Sequence, residues 1–241
     1  MKDLYLQGIE INWSKIDEDS YLRTIPALNG LKTLSFDSPL TCFVGENGSG
    51  KSTLLEGIAI ACGFNPEGGT KNYQFSTCND YSELHDALRL LRGWRKPAWG
   101  YFLRAESFFN VATKEEEYAR GFVPSAELHQ KSHGESFLQI AQDQFKPHGL
   151  YLLDEPEAAL SPQHQLTLLL EIMNCIRTGS QFIIVSHSPI LLGIPEADIR
   201  TFDQGPIHSC RYEETESYRI TKLFINDREM LLKKLLSEEN P

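Results

Sequence analysis

Apolar runs of strand length and stretches with helical apolar spacing alternate along this chain. Leu4 to Ile11 is rich in β-formers with imperfect alternation, which predicts a strand, and a second strand is predicted near Leu31 to Phe36. Leu40-Thr41-Cys42-Phe43-Val44 is a short, nearly continuous apolar run that ends in glycine, the pattern of a strand buried on both faces. Thr53 to Ala61 then carries apolar residues at helical spacing and stops at Gly63, a C-cap residue.

Residues from about Asn65 to Gln130 are mixed. A Gly/Asn/Thr-rich stretch precedes a predicted helix around Ser82 to Leu91, a strand near Trp99 to Leu103 and a helix around Thr113 to Arg120. The expectation is an inserted, more helical arm over approximately 65–130.

Regular alternation resumes afterwards. A helix is predicted from Ser132 to about Phe145, a buried strand at Gly149 to Leu153 that ends in acids, and a helix over Pro162 to Ile176. Gln181 to Val185 is a third buried strand, ending in Ser186-His187. Tyr218 to Leu236 reads as a helix packed on the domain or, alternatively, one that binds a partner. Buried strands alternating with helices imply a largely parallel sheet, whose ligand sites lie at the carboxyl ends of the strands.

Composition narrows this picture. At 241 residues and 41% hydrophobic content, the chain can bury a large core, and one globular domain over 1–241 is expected. The formal charge of −10 excludes an overall basic surface of the kind that neutralises nucleic-acid phosphates, and leaves a local basic groove open. Five scattered cysteines, with no C-x-x-C pair, read as buried reduced thiols. No run of eighteen apolar residues and no secretory signal pattern is found, so a soluble cytoplasmic protein without stable membrane insertion is expected.

The chemistry sits at the strand ends. Gly45-Glu46-Asn47-Gly48-Ser49-Gly50-Lys51-Ser52-Thr53 follows the first buried strand and opens a helix. A polyphosphate needs many donors at close range, and Gly45, Gly48 and Gly50 let backbone N–H groups converge without Cβ atoms in the way. The helix start aims its positive dipole end at the phosphates, Lys51 adds a charge near the β and γ phosphates, and Ser52 is placed to ligate Mg²⁺. Thr53 offers a further hydroxyl. The pattern predicts an ATP-binding phosphate loop.

In Leu150-Tyr151-Leu152-Leu153-Asp154-Glu155-Pro156 an apolar strand delivers two acids to the same sheet edge. Asp154 suits Mg²⁺ and Glu155 suits a general base for water, although a capped turn before the next helix has the same composition. His187 follows the third buried strand and reads either as a partner of the γ-phosphate and its water or as a satisfied structural histidine. Lys131-Ser132-His133-Gly134-Glu135 opens a helix and is, by itself, equally an anion site or an ordinary N-cap.

Taken together, these segments resemble the ATP-binding cassette (ABC) type of ATPase. Walker A would be Gly45–Thr53, the signature Ser132–Ser136, Walker B Tyr151–Glu155, the D-loop Glu157–Ser161 and the switch histidine His187. The signature departs from Leu-Ser-Gly-Gly-Gln and, with Asp154-Glu155-Pro156-Glu157-Ala158-Ala159-Leu160, resembles the SMC and RecF-like branch and its small bacterial ATPases. That resemblance implies a P-loop α/β head with a mostly parallel central sheet, N-terminal antiparallel strands and a short helical arm, since only about eighty residues separate Lys51 from Ser132.

The resemblance also implies ATP and Mg²⁺ as ligands and an ATP-dependent homodimer, with Ser132 and Gly134 contacting the nucleotide held by the other copy. Glu106 stands where the family usually has the glutamine of its Q-loop, and as a metal ligand it departs from the pattern. A protein partner or nucleic acid would read the switch. An ATP-gated binding module with negligible turnover and the nucleotide-binding subunit of a transporter are the competing functions.

Overall fold

The computed structural model describes residues 3–70, 82–104 and 133–238, with the backbone alone at 133–137 and 238. Glu106, Ser132 and the helix predicted at Thr113 to Arg120 lie outside the described residues.

The runs predicted as buried form the centre of a seven-stranded sheet. Its members are β3 (Leu40–Val44), β4 (Gly69–Thr70), β6 (Trp99–Arg104), β7 (Gly149–Asp154), β8 (Gln181–Val185), β9 (Asp198–Thr201) and β10 (His208–Ser209). The order across the sheet is β10-β9-β3-β8-β7-β6-β4, parallel throughout except at the two short edge strands. Every residue of β3, β7 and β8 is buried, because both faces of the sheet are covered.

Alternation along the strands sorts two cores. Phe43, Leu150, Leu152, Ile183 and Val185 face α1 (Lys51–Ala61), joining Leu54, Leu55 and Ile58. Cys42, Tyr151, Leu153, Phe182 and Ile184 face the other way, toward Leu138, Ile140 and Ala141 of α3 (His133–Gln144) and Leu168 and Ile172 of α4 (Pro162–Arg177). Tyr151 stacks on Phe182 with centroids 4.7 Å apart at the middle of that layer.

A second, antiparallel sheet of order β2-β1-β5 covers the α1 side. It is built from β1 (Leu6–Ile11), β2 (Thr33–Ser35) and β5 (Leu88–Arg92). One buried side chain ties it to the main sheet: Gln181 Oε1 accepts from Tyr5 N (2.9 Å) and Leu6 N (3.0 Å), and its Nε2 donates to Leu6 O (2.7 Å).

Two elements differ from the sequence expectation. The helix expected over Ser82 to Leu91 is a single turn, α2 (Leu84–Ala87), and the chain then runs as β5 against β1. Leu88 and Leu90, two residues apart, pack on the core, while Arg89 pairs with Glu10 across the strands at 3.0 Å. The spacing of Leu88, Leu90 and Leu91 fits either period, and strand pairing decides between them.

The C-terminal helix is divided into α6 (Glu216–Asn226) and α7 (Arg228–Glu238), with non-helical backbone at Asp227 (φ −131°). Asn and Asp are weak helix formers, and they fall at the break. α6 buries none of its residues, so Ile220, Phe224 and Ile225 stand exposed rather than packed on the domain. No described helix is long and apolar enough to cross a membrane.

Candidate functional site

Strand order brings the site together. β8 lies between β3 and β7, with Phe43 and Asp154 both level with Val185. The residues just beyond that level are therefore Val44, with the glycine-rich loop opening at Gly45 next to it, Ser186 and Glu155, gathered at one edge from three distant parts of the chain.

The phosphate loop turns on its glycines. Gly45, Gly48 and Gly50 have φ of 144°, 81° and 97°. At Gly50, which caps α1, a Cβ would also stand 2.7 Å from Ile25 Cγ2, so sterics and backbone both require glycine. Asn47 and Gly48 are exposed at the tip, and Ser49 N closes the turn onto Glu46 O at 3.3 Å. Glu46 N donates to Asp203 Oδ1 at 2.8 Å, anchoring the loop to the end of β9.

Lys51 is buried and its Nζ curls back onto the loop, donating to Gly45 O and Glu46 O, each at 2.7 Å. Burial pulls its pKa below the ordinary lysine value, and the nearby carboxylates Glu155, Asp203 and Asp154 oppose that shift. A polyphosphate seated on the loop would offer this ammonium anionic oxygens in place of neutral carbonyls, which are the weaker acceptors.

Ser52 and Asp154 meet directly. Ser52 Oγ donates to Asp154 Oδ1 at 3.0 Å across 102 residues of sequence. Thr53, one residue further on, is half-buried on the first turn of α1. The hydroxyl and the carboxylate make an all-oxygen pair of the kind a hard divalent cation takes. Among the described residues no three His, Cys, Asp or Glu side chains gather as a metal cage. The pair thus fits a Mg²⁺ ion, which would draw its remaining ligands from phosphate oxygens and water.

Glu155 holds a left-handed backbone, φ 47°, uncommon for a residue with a Cβ. Its N–H donates to Val185 O at 3.0 Å, fixing it to the end of β8. The carboxylate, about half exposed, reaches toward His187, with Glu155 Oε1 3.9 Å from His187 Nε2. That separation is too long for a direct hydrogen bond and leaves both groups free to act on a third. His187 Nε2 has no hydrogen-bond partner among the described residues.

The structure therefore joins Gly45 through Thr53, Asp154, Glu155 and His187 at one edge. Of the signature, Gly134 lies in the first turn of α3, its contacts outside the described residues, and Ser132 and Glu106 are not described. Two participants had no reading as site residues in the sequence: Asp203, which anchors Glu46, and Glu157, whose Oε1 accepts from Ser186 Oγ and His187 N. Glu157 stood within the D-loop segment, and nothing local marks Asp203. A groove of about 1190 Å³ runs beside this edge, with Gly45, Glu46 and His187 on one wall and Tyr218 and Lys222 of α6 on the other.

Comparisons with known proteins bear on both halves of this edge. A family model described as "AAA domain" matches residues 22–99, and one described as "AAA domain, putative AbiEii toxin, Type IV TA system" matches residues 112–193. No curated protein matches. Similar solved structures include an SMC head domain from Thermotoga maritima, 14% identical, with a TM-score of 0.49, covering 86% of this chain and 100% of that one. Another, titled "An inward-facing conformation of a putative metal-chelate type ABC transporter", is 18% identical with a TM-score of 0.47, covering 87% of this chain and 84% of that one. The first family model spans the phosphate loop and the second spans Asp154, Glu155 and His187, so each half of this edge falls in a region similar to an AAA domain.

Proposed function

We propose that this chain binds and hydrolyses ATP with Mg²⁺ in a composite site closed by a second copy of itself. The observation that carries the reading is Glu155, held in a left-handed conformation beside Asp154 and aimed at His187. The two AAA-domain matches, one over each half of the site, support nucleotide binding and hydrolysis in general.

In this reading the loop amides and Lys51 hold the β and γ phosphates, while Ser52 and Asp154 hold the metal. Bound Mg²⁺ would offset phosphate charge as it develops in the transition state. Glu155 takes a proton from the attacking water, and His187 hydrogen-bonds the γ-phosphate or that water. Glu106 belongs to the metal side of the same reading, and Ser132 and Gly134 act on the nucleotide of the other copy. Residues 1–241 would work as one ATPase domain with an arm over approximately 65–130.

ATP would hold the closed dimer by binding both copies at once, so turnover becomes a switch that a protein or nucleic-acid partner reads. A cytoplasmic setting fits this use. The toxin-system description of the second family model favours a defence complex over DNA repair as that setting.

The test is phosphate release by the wild-type protein and a Glu155→Gln variant, with and without Mg²⁺. The expected result is Mg²⁺-dependent turnover that falls about 10² to 10³-fold in the variant. Equal rates for the two proteins would remove hydrolysis from the reading. If ATP still doubled the mass of the Glu155→Gln protein in solution, a gated binding module would remain.

A further inference from the structure

The loop that carries His187 is built around a carboxylate from another segment. Glu157 Oε1 accepts from Ser186 Oγ at 2.9 Å, His187 N at 2.5 Å and Ser188 N at 3.0 Å. Three consecutive residues are thus gathered on one oxygen. Ser188 is fixed further, since its Oγ donates to Gln165 Oε1 of α4 at 2.6 Å and caps α5 (Pro189–Leu192).

Glu157 stands on the same tight turn as Glu155. Ala158 N donates to Glu155 O at 3.0 Å, and Leu160 N donates to Glu157 O at 2.9 Å. The turn that opens at Glu155, directly after Asp154 at the end of β7, therefore also grips the loop bearing His187. Glu155 and His187, 3.9 Å apart, are thus linked through this grip as well as through the Glu155 N–H bond to Val185 O.

The arrangement is a costly way to close a loop. Burial pushes the Glu157 carboxyl above its ordinary pKa, against the pull of its hydrogen bonds. Its Oε2 is buried with no hydrogen-bond partner among the described residues. A serine or asparagine could cap a loop without confining half a carboxylate. Local cost of this kind, beside the residues of a site, points to a functional return.

We infer that Glu157 is a positioning residue that sets His187 against Glu155, and so acts on the hydrolytic step rather than on nucleotide binding. The inference rests on the proposed ATPase reading for its kinetic consequence and on geometry alone for its structural one. The hydrogen bonds that Glu157 Oε1 accepts come from Ser186, His187 and Ser188, all on the loop that carries His187.

The experiment compares wild type with E157A, E157Q, E157D, H187A and the E157A/H187A double variant. Turnover and KM for Mg-ATP are measured, with the His187 ring resonances followed by NMR in the same proteins. E157A is expected to lower kcat about thirtyfold with KM within about threefold, the pattern of a loss confined to the transition state. E157Q keeps an acceptor oxygen at the same reach and should recover most of kcat. E157D keeps the charge but withdraws the oxygen by one methylene, and should fall with E157A.

Because Glu157 acts through His187, the double variant should lose no more than H187A alone. Additive losses, full activity in E157D, or a raised KM at unchanged kcat would each overturn the inference. If E157A does not fold, E157Q and E157D carry the comparison. If the wild type shows no turnover, the ATPase reading is what fails. The His187 resonances then decide this inference: displacement in E157D with return in E157Q supports it, and unchanged resonances in both overturn it.

Discussion

Ser52 Oγ and Asp154 Oδ1 lie 3.0 Å apart, one on the first turn of α1 and the other on the last residue of β7. The contact closes the edge of the sheet across β8 and joins the two motifs into one site. Removing either partner should cost more than a surface hydrogen bond. Ser52→Ala and Asp154→Asn are each expected to lower Mg²⁺-dependent turnover by about 10² to 10³-fold and to raise the Mg²⁺ concentration needed for half-maximal rate. Rates measured across a Mg²⁺ series test this, and a double variant should lose far less than the product of the two single losses.

Of the three glycines of the phosphate loop, Gly50 is the one whose added Cβ would come nearest a neighbouring atom. Alanine there would adopt φ +97° and bring its Cβ to 2.7 Å from Ile25 Cγ2. Gly50→Ala is expected to destabilise the fold by about 1–3 kcal/mol and to abolish nucleotide binding. Denaturant unfolding and equilibrium binding of a fluorescent ATP analogue provide the two measurements. Gly48→Ala, where a Cβ meets nothing within 4 Å, should be milder on stability although its φ is +81°.

The two sheets are held in register by Gln181. Gln181→Leu would leave Tyr5 N, Leu6 N and Leu6 O without their side-chain partner in a buried place. The expected cost is about 2–4 kcal/mol, read as a lower urea midpoint with little change in slope. A cost below about 0.5 kcal/mol, the range of ordinary surface substitutions, would show that the tie is dispensable.

Thiol reactivity should follow burial. The Cys42 thiol is pushed up to about 12 and that of Cys175 to about 11, in both cases chiefly by burial. Below these values the thiolate fraction falls tenfold for each unit of pH, so at pH 8 only about one Cys42 in ten thousand is ionised. Iodoacetamide at pH 8 is expected to spare Cys42 and Cys175 in the folded protein, to label Cys210 ahead of both, and to reach all three in guanidinium. Peptide mapping by mass spectrometry reads the order. Labelling should quicken as pH rises toward 11, Cys175 before Cys42.

The sequence by itself determined the parts that depend on near neighbours. The glycines of the phosphate loop have to sit between a buried strand and a helix start for their amides to converge, and that whole arrangement occupies Leu40 to Ala61. The apolar runs at β7 and β8, each ending in polar residues, are likewise local, and so are the acids and the histidine they deliver. Period alone could not separate helix from strand at Leu88 to Leu91, where pairing with β1 made the choice, nor tell that the apolar residues of α6 would remain exposed.

Only the tertiary structure decided which strand ends share an edge. β8 is the last of the three in sequence yet lies between β3 and β7, and this placement puts Asp154 against Ser52 and Glu155 near His187. It also created the roles of Asp203 and Glu157, since a carboxylate that anchors a backbone 157 or 30 residues away carries no mark in its own neighbourhood. The physical reason is reach. Propensity, capping and turn chemistry act over a few residues, whereas strand order is fixed by burying both faces of one sheet, a condition the whole chain must satisfy together.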